Sequence, residues 1–388
     1  MKFVTGGAVD VLIQMISEPS TQCTKALSAL ASLAGDDASR ATILEAGVLE
    51  LALPLAKVEL DCGVAATKVL SALAVHAGGK AKLRGVEEAP SMMFDALDNG
   101  TESHKIYAAA TLARILDDDE ATADKVATMG GVEKLVTIAS TQDGALRNNA
   151  HFALDNAFYS SKEAKKIAVE GGHVSLFVNL LKMNVKPDTI VYSLVNLSEQ
   201  DGLAVTEAGA IPVLVDYIRN EAASVRDCAV LALASIAYMN DRLNAEVVAT
   251  GLLPVFLDMM RTGSTVEKSE AASILAVLAS DATIRPIITA LTGITELCVE
   301  LLKSDEEETQ VAALRLITAL AEDDHVAVQF VASGAISSLR SFLSAEDDPL
   351  LLATKAIGAL RFIHQSADSA QLKEHVELAL SRLQAMAA

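Results

Sequence analysis

The chain has 388 residues, of which 51% are hydrophobic but only 4% aromatic, so its core must be built from Ala, Leu, Val and Ile. Such a core suits closely packed helices more than an aromatic-rich β-sandwich, and it excludes disorder over most of the length. The formal charge of −20, from 31 Lys and Arg against 51 Asp and Glu, argues against nucleic acid as a direct partner, because phosphate backbones are bound by excess basic residues.

From the opening residues MKFVTGGAVD we expect no signal peptide. An apolar segment that opens with glycine recurs along the chain, beginning at Gly7, Gly47, Gly131, Gly172, Gly209, Gly251, Gly293 and Gly334. A degenerate copy near Glu88 contains Pro90, which can occupy the first turn of a helix. From Gly172 onward the copies are 37, 42, 42 and 41 residues apart, a period typical of stacked helical repeats.

Each copy is followed by a longer Ala-rich segment, such as VRDCAVLALASIAYM or VEKSEAASILAVLAS. Its apolar residues recur at three- and four-residue spacing, which predicts a helix buried on more than one side. A short segment such as SRATILEAG then precedes the next glycine. We therefore expect nine stacked repeats of three helices, with the glycine allowing the sharp corner before the second helix.

The motif Gly-Ala-Ile-Pro-x-Leu-Val at Gly209–Val215 and the Ala-Leu-x-x-Leu-Ala pattern of the long helices resemble the armadillo repeat family. The resemblance covers essentially the whole chain. It implies an all-α fold, a right-handed armadillo-type helical-repeat solenoid of about nine repeats whose long third helices line a concave groove. Two-helix HEAT repeats and a generic Ala- and Leu-rich helical bundle are the alternatives.

The domain organisation follows from the same pattern. We expect residues 1–388 to form a single solenoid, with no linker and no second domain. The opening MKFVTGG predicts a first repeat that lacks most of its first helix. The last segment, DSAQLKEHVELALSRLQAMAA, predicts an extra amphipathic capping helix at about 369–386, whose polar residues would face solvent.

The sequence has no motif for catalysis or cofactor binding. GxxxxGK[ST], GxGxxG and GxSxG are missing, and the seven histidines have no metal-ligand spacing. The run Asp117–Glu120 resembles a Ca²⁺ loop but has Thr122 at the glycine position, so we expect a solvated helix end. We expect no enzyme, no cofactor and no metal; a hydrolase assembled from distant helices is the less favoured alternative.

Cysteine spacing and hydropathy indicate the compartment. The four cysteines form no CxxC pair, which predicts small buried thiols in a reducing environment: Cys23, Cys62, Cys228 and Cys298. No window of 18 residues is both uncharged and mainly apolar, so we expect no transmembrane insertion. We expect a cytoplasmic location, with the nucleus as the alternative.

In the armadillo family an Asn ladder on the third helices, often with Trp one turn earlier, binds an extended peptide backbone. An Asn side chain suits this role because it can bond a peptide N–H and C=O together. Here the ladder position holds Asn only at Asn156 and Asn196, preceded by Phe152 and Tyr192. Other copies hold different residues, among them Ser32, Ala72, Arg114, Ser235 and Val277.

We therefore expect the principal site at repeats 4 to 6, with the groove residues Asn148, His151, Phe152, Asn156, Tyr192, Asn196 and Ser235. Tyr159 and Tyr238 would flank or extend it. The alternative is that the Asn side chains bond neighbouring loops and Phe152 belongs to the core. The absence of Trp argues against a receptor for nuclear-localisation signals.

These observations predict a non-catalytic protein–protein interaction scaffold that binds an extended peptide or partner protein in its concave groove. The alternative is a regulatory or chaperone-type subunit that acts on a partner enzyme or motor protein. Residues 195–388 carry 13 basic and 27 acidic groups, against 18 and 24 in residues 1–194, so we expect attraction of a partner with a basic segment. Solubility is the other explanation of this acidity.

Overall fold

The computed structural model describes residues 7–16, 20–57, 61–220, 223–239, 244–335, 337–339 and 359. Within these ranges the chain has 23 helices and no strand, which confirms the predicted all-α class. The chain forms two compact units, Met1–Gln200 and Asp201–Ala388. The predicted capping helix at 369–386 and residues 1–6 of the first repeat lie outside the described residues.

The first unit repeats two shorter helices followed by a long one. Its helices are α1 (Ala8–Gln14), α2 (Thr21–Leu33), α3 (Asp37–Glu45), α4 (Val48–Leu55), α5 (Asp61–Leu73), α6 (Ala77–Arg84), α7 (Ala89–Asn99), α8 (Glu102–Leu116), α9 (Glu120–Thr128), α10 (Gly131–Thr141), α11 (Gly144–Ser160), α12 (Lys162–Glu170) and α13 (Val174–Lys182). The long helices α2, α5, α8 and α11 pack side by side in chain order. This is the three-helix repeat that the sequence predicts.

Helix α14 (Pro187–Glu207) combines the long helix of one repeat with the short helix of the next. Asp201 inside it has φ −156° and ψ 92°, values outside the helical range. Its Oδ1 accepts a hydrogen bond from the Ala204 backbone N–H at 3.0 Å, so Asp201 caps the residues that follow.

The second unit continues the same order. Its helices are α15 (Ala210–Asn220), α16 (Ala223–Met239), α17 (Asn244–Ala249), α18 (Leu253–Thr262), α19 (Thr265–Ala279), α20 (Arg285–Thr289), α21 (Ile294–Leu301), α22 (Glu307–Leu320) and α23 (Asp324–Ala332). Here the long helices α16, α19 and α22 pack against one another in sequence.

The recurring glycine has a left-handed backbone, with φ between 69° and 84°, at Gly7, Gly47, Gly130, Gly172, Gly209, Gly251, Gly293 and Gly334. In the fourth repeat this residue is Gly130, one position before the predicted Gly131. Gly131 instead begins α10, where an added Cβ would lie 2.6 Å from the Phe94 ring. Gly130 is therefore needed for its positive φ, whereas Gly131 is needed because a side chain there would collide with Phe94.

Helix ends follow the expected chemistry. Pro90 lies in the first turn of α7, as predicted. The acidic run at Asp117–Glu120 joins α8 to α9, where Asp119 Oδ1 accepts from the Thr122 N–H at 2.8 Å. Burial alone would raise the pKa of Asp119, but the hydrogen bonds from Thr122 lower it below its usual value.

The core contains many buried alanines together with a smaller number of large side chains. The largest fully buried side chains include Phe158 and Phe177 in the first unit and Phe256 and Phe330 in the second. All four cysteines are buried, as predicted, and none of them forms a disulfide with another. Cys23 and Cys62, on adjacent long helices, have their sulfur atoms 3.1 Å apart.

Candidate functional site

Two aromatic side chains lie in solvent on neighbouring long helices of the first unit. Phe152 on α11 is 49% exposed and Tyr192 on α14 is 46% exposed. Each lies four residues before an asparagine, Asn156 or Asn196, and residues four apart share one face of a helix. Phe152 is therefore not a core residue. We call these four residues the aromatic–amide face.

The side chain of Asn156 links two repeats. Its Nδ2 donates a hydrogen bond to the Ala113 carbonyl oxygen near the end of α8, at 2.7 Å. Since that carbonyl can only accept, the orientation of the amide is fixed. No described residue donates to Oδ1 of Asn156, which leaves this acceptor for a ligand. The alternative for the Asn side chains, a bond to a neighbouring segment, therefore holds for the amide nitrogen of Asn156.

Asn196 is held by a carboxylate that sequence reasoning missed. Asp155 Oδ1 accepts from the buried Ser193 hydroxyl at 3.3 Å and from Asn196 Nδ2 at 3.5 Å. Burial raises the pKa of Asp155 to about 6, although both hydrogen bonds oppose the shift. The sequence alone would place Asp155 in water, because an acidic residue on a helix is normally exposed. Its position next to Asn156 is the one feature that connects it with the site.

The raised pKa of Asp155 predicts a pH-dependent stability. A carboxyl with a folded pKa near 6 and an unfolded pKa of 3.8 stabilises the fold when protonated, and this contribution is lost as pH rises through 6. At about 1.4 kcal/mol per pKa unit, we expect Asp155→Asn to be more stable by about 1–3 kcal/mol near pH 8 and no more stable near pH 4. Thermal melting at both pH values tests this, and a variant less stable at pH 8 would contradict it.

His151 lies in the core and does not face the groove, which corrects the sequence expectation. It is 1% exposed, and its ring centre lies 6.3 Å from that of Phe177 in an edge-to-face arrangement. Neither ring nitrogen has a hydrogen-bond partner among the described residues. Burial, with a smaller effect of Arg147, lowers the pKa of His151 to about 4. Five residues separate it from Asn156, which turns it to another side of α11.

The buried imidazole predicts acid sensitivity. Folded His151 stays neutral down to about pH 4, whereas the unfolded chain binds a proton below about 6.5, so stability is complete above 6.5 and falls as pH decreases toward 4. The loss is about 3 kcal/mol at most. We expect His151→Leu to show a smaller decrease in melting temperature between neutral and acidic pH than the unchanged chain. Equal decreases in the two proteins would argue against this assignment.

The remaining predicted residues are dispersed. Asn148 is half-buried near the start of α11, next to Asn149, whose Nδ2 donates to the Ile106 carbonyl at 3.0 Å. Tyr159, 68% exposed, lies at the end of α11. Ser235 is half-buried on α16 and belongs to the second unit, as does Tyr238. The first unit therefore contains six of the seven predicted site residues.

Arg114 occupies on α8 the position of Asn156 on α11. The correspondence is structural, because each side chain reaches the residue 43 positions earlier: Asn156 contacts Ala113 and Arg114 contacts Ser71. Lys68, three residues before Ser71 on α5, lies over the Tyr107 ring, with its Nζ 5.8 Å from the ring centre. This part of the first unit thus has cations where α11 and α14 have the aromatic–amide face.

The second unit has acidic side chains at the starts of its long helices. Arg226 Nη1 bonds Glu267 Oε1 at 2.9 Å. Burial, followed by the charge of Glu267, raises the pKa of Asp227. Burial, followed by the charges of Glu308 and Asp227, raises the pKa of Glu270. These carboxylates therefore lie close enough to repel one another.

The described part of the chain has neither a cluster of metal ligands nor a helix suited to a membrane. No cluster of three or more His, Cys, Asp or Glu side chains in it has the arrangement of a metal site. None of its helices combines the length and the hydropathy that a membrane span requires.

Comparison with known proteins identifies the repeat. Residues 191–351 match the sequence profile of the plant U-box protein ARM repeat region. No curated protein sequence matches the chain significantly. A crystal structure of an engineered protein is similar, with a TM-score of 0.82 and 23% identity over 97% of this chain and 98% of that chain. At this identity the similarity concerns the fold alone. The matched segment, which covers less than half of the chain, is similar to armadillo repeats. The helix triplets and the recurring left-handed glycine have the same order before that segment and within it, as far as the structure describes these residues.

Proposed function

We propose that the chain is a protein-interaction scaffold that binds an extended peptide segment of a partner along the aromatic–amide face. The observation that supports this most is the pair of half-exposed aromatic rings, Phe152 and Tyr192, at equivalent positions of adjacent long helices. Exposed apolar side chains that form one patch mark binding surfaces, and aromatic residues are enriched among those that dominate binding energy.

The proposed binding mode gives Phe152, Tyr192 and Asn156 one contact each with the peptide. Apolar side chains of the peptide pack against Phe152 and Tyr192, with a gain of about 25 cal/mol per Å² of apolar area removed from water. The free Oδ1 of Asn156 accepts a peptide N–H. The bond from Nδ2 to Ala113 holds that oxygen in place before the peptide arrives, which lowers the entropy cost of binding.

The partner is proposed to include a basic segment, and the function to be non-catalytic. The repulsion between Asp227 and Glu270 in the second unit supports a basic segment in the partner, since a cation beside these carboxylates relieves that repulsion. Repeat solenoids generally present long surfaces for binding, which supports a non-catalytic function. The four cysteines are buried and form no disulfide with one another, which suits a reducing compartment and supports a cytoplasmic location.

Selection of a random peptide library on the full chain tests this function. We expect enrichment of peptides with apolar residues, and of Lys or Arg if the basic segment is correct. A soluble selected peptide should then compete with the displayed ones for the same face. A library that yields no competable binder, or binders unaffected by substitution of the aromatic–amide face, would contradict the proposal.

A further inference from the structure

Arg114 is a half-buried cation on the long-helix face, and part of its guanidinium is already fixed. Nη1 donates to the Ser71 hydroxyl at 2.5 Å and to the Ala110 carbonyl at 3.0 Å. Neither Nε nor Nη2 donates to a described residue. These two groups form the edge of a guanidinium that binds a carboxylate or phosphate with two parallel hydrogen bonds.

The charge of Arg114 is not balanced within the described residues. Four other arginines among the described residues pair with an acid, for example Arg84 with Asp119 and Arg226 with Glu267. Arg114 has no such pair, and the charge that acts on it is that of another cation, Arg40. Burial, and then Arg40, lower the pKa of Arg114. A partly buried cation beside a like charge is unfavourable until an anion joins it.

A second cation lies on the neighbouring long helix. Lys68, on α5, lies three residues before Ser71, the residue that holds Arg114, and side chains at this spacing are neighbours on a helix. Lys68 stays near Tyr107 through a cation–π contact and forms no ion pair with a described acid. On the other side, Asn156 bonds Ala113, the residue next to Arg114.

We propose that Arg114, assisted by Lys68, binds an anionic side chain of the partner segment, one repeat before the apolar contact at Phe152. The shared chemistry is that of an oxyanion, either the carboxylate of Asp or Glu or a phosphate carried by Ser or Thr. This inference rests on the proposed peptide-binding function and adds a charge requirement to it.

The anion site can be tested without any peptide. Inorganic phosphate and glutarate are titrated, at constant ionic strength set with chloride, into protein with isotope-labelled arginine side chains. We expect the Nε–H resonance of Arg114 to shift in a saturable way, and Arg114→Gln to remove it from the spectrum. The resonance of Arg84, which is paired with Asp119, is the internal control. An unmoved Arg114 signal, or equal shifts at all arginines, would overturn the site.

The second arm distinguishes carboxylate from phosphate. Peptides selected on the chain are made with Gln, Glu or phosphoserine at each position. At one position we expect Glu or phosphoserine to bind at least about tenfold more tightly than Gln, as expected for hydrogen bonds to charged groups. Arg114→Gln should abolish that gain. Lys166→Gln, which removes an equal charge from α12 beside Glu163, should preserve it.

The two proposals fail in different ways. If selected peptides bind but no anionic residue improves binding to the unchanged chain, the anion site is wrong and the scaffold function stands. If no peptide binds while Arg114 still responds saturably to phosphate or glutarate, the anion site stands and the peptide function is wrong. Arg114→Lys keeps the charge but removes the two-donor edge, so we expect it to bind phosphate more weakly than the unchanged chain.

Discussion

Replacing Phe152 and Tyr192 together by alanine is expected to weaken peptide binding by about a hundredfold or more. Both rings are about half exposed, so the substitutions remove contact area from the ligand rather than from the core. Each truncation of a binding hot spot costs about 1–2 kcal/mol or more, whereas substitutions at exposed positions change stability by about 0.5 kcal/mol. Fluorescence anisotropy with a selected peptide measures the affinity, and thermal melting measures the stability.

The matched control for this double variant is Met129→Ala. Met129 is a similarly exposed apolar residue of the same unit, and it caps the end of the short helix α9 instead of lying on a long helix. We expect it to bind the peptide as the unchanged chain does. If the double variant also binds normally, or melts many degrees earlier, the aromatic–amide face is not the binding surface.

The second large effect concerns Phe158, six residues after Phe152 on the same helix. Its ring is fully buried and meets the Phe177 ring edge-on, with the centres 5.7 Å apart. Truncation leaves a cavity between α11 and α13, and we expect Phe158→Ala to lower the free energy of unfolding by about 3–5 kcal/mol. Urea unfolding followed by circular dichroism measures the change.

Phe152→Ala provides the comparison, since it deletes the same atoms from the same helix at an exposed position. We expect it to leave the unfolding curve almost unchanged. Phe158→Leu, which keeps most of the buried volume, should destabilise the chain less than Phe158→Ala. Similar unfolding curves for Phe152→Ala and Phe158→Ala would show that the burial of these two rings is not as described.

The helical repeat could be predicted because its signals are local and recur. A glycine before all but one of the second helices and a period near 40 residues define both the helix order and the corners. The one-residue difference at Gly130 and Gly131 could not be resolved from the sequence. Either glycine can adopt a positive φ, and the choice depends on the contact between Gly131 and Phe94, two residues from different repeats.

For the candidate site, the sequence predicts which side chains share one side of a helix. The spacing of four residues placed Phe152 with Asn156 and Tyr192 with Asn196 on one exposed face. His151 lies next to Phe152 in sequence but turns toward Phe177. The roles of Asp155 and Arg114 depend on hydrogen bonds to a neighbouring repeat, to Ser193 and Ser71 respectively. Such contacts between repeats have no local pattern in the sequence.

The adjacent thiols of Cys23 and Cys62 provide a way to measure how often two neighbouring long helices separate. Repeats contact only their neighbours, so one interface can open while the rest of the array stays folded. Burial, with the contact between the two thiols, raises the pKa of Cys23 to about 12, so an alkylating reagent reacts with it only after the helices separate. Cys298, buried in the second unit, requires a different opening. The alkylation rate of each thiol therefore measures how often its own part of the chain opens.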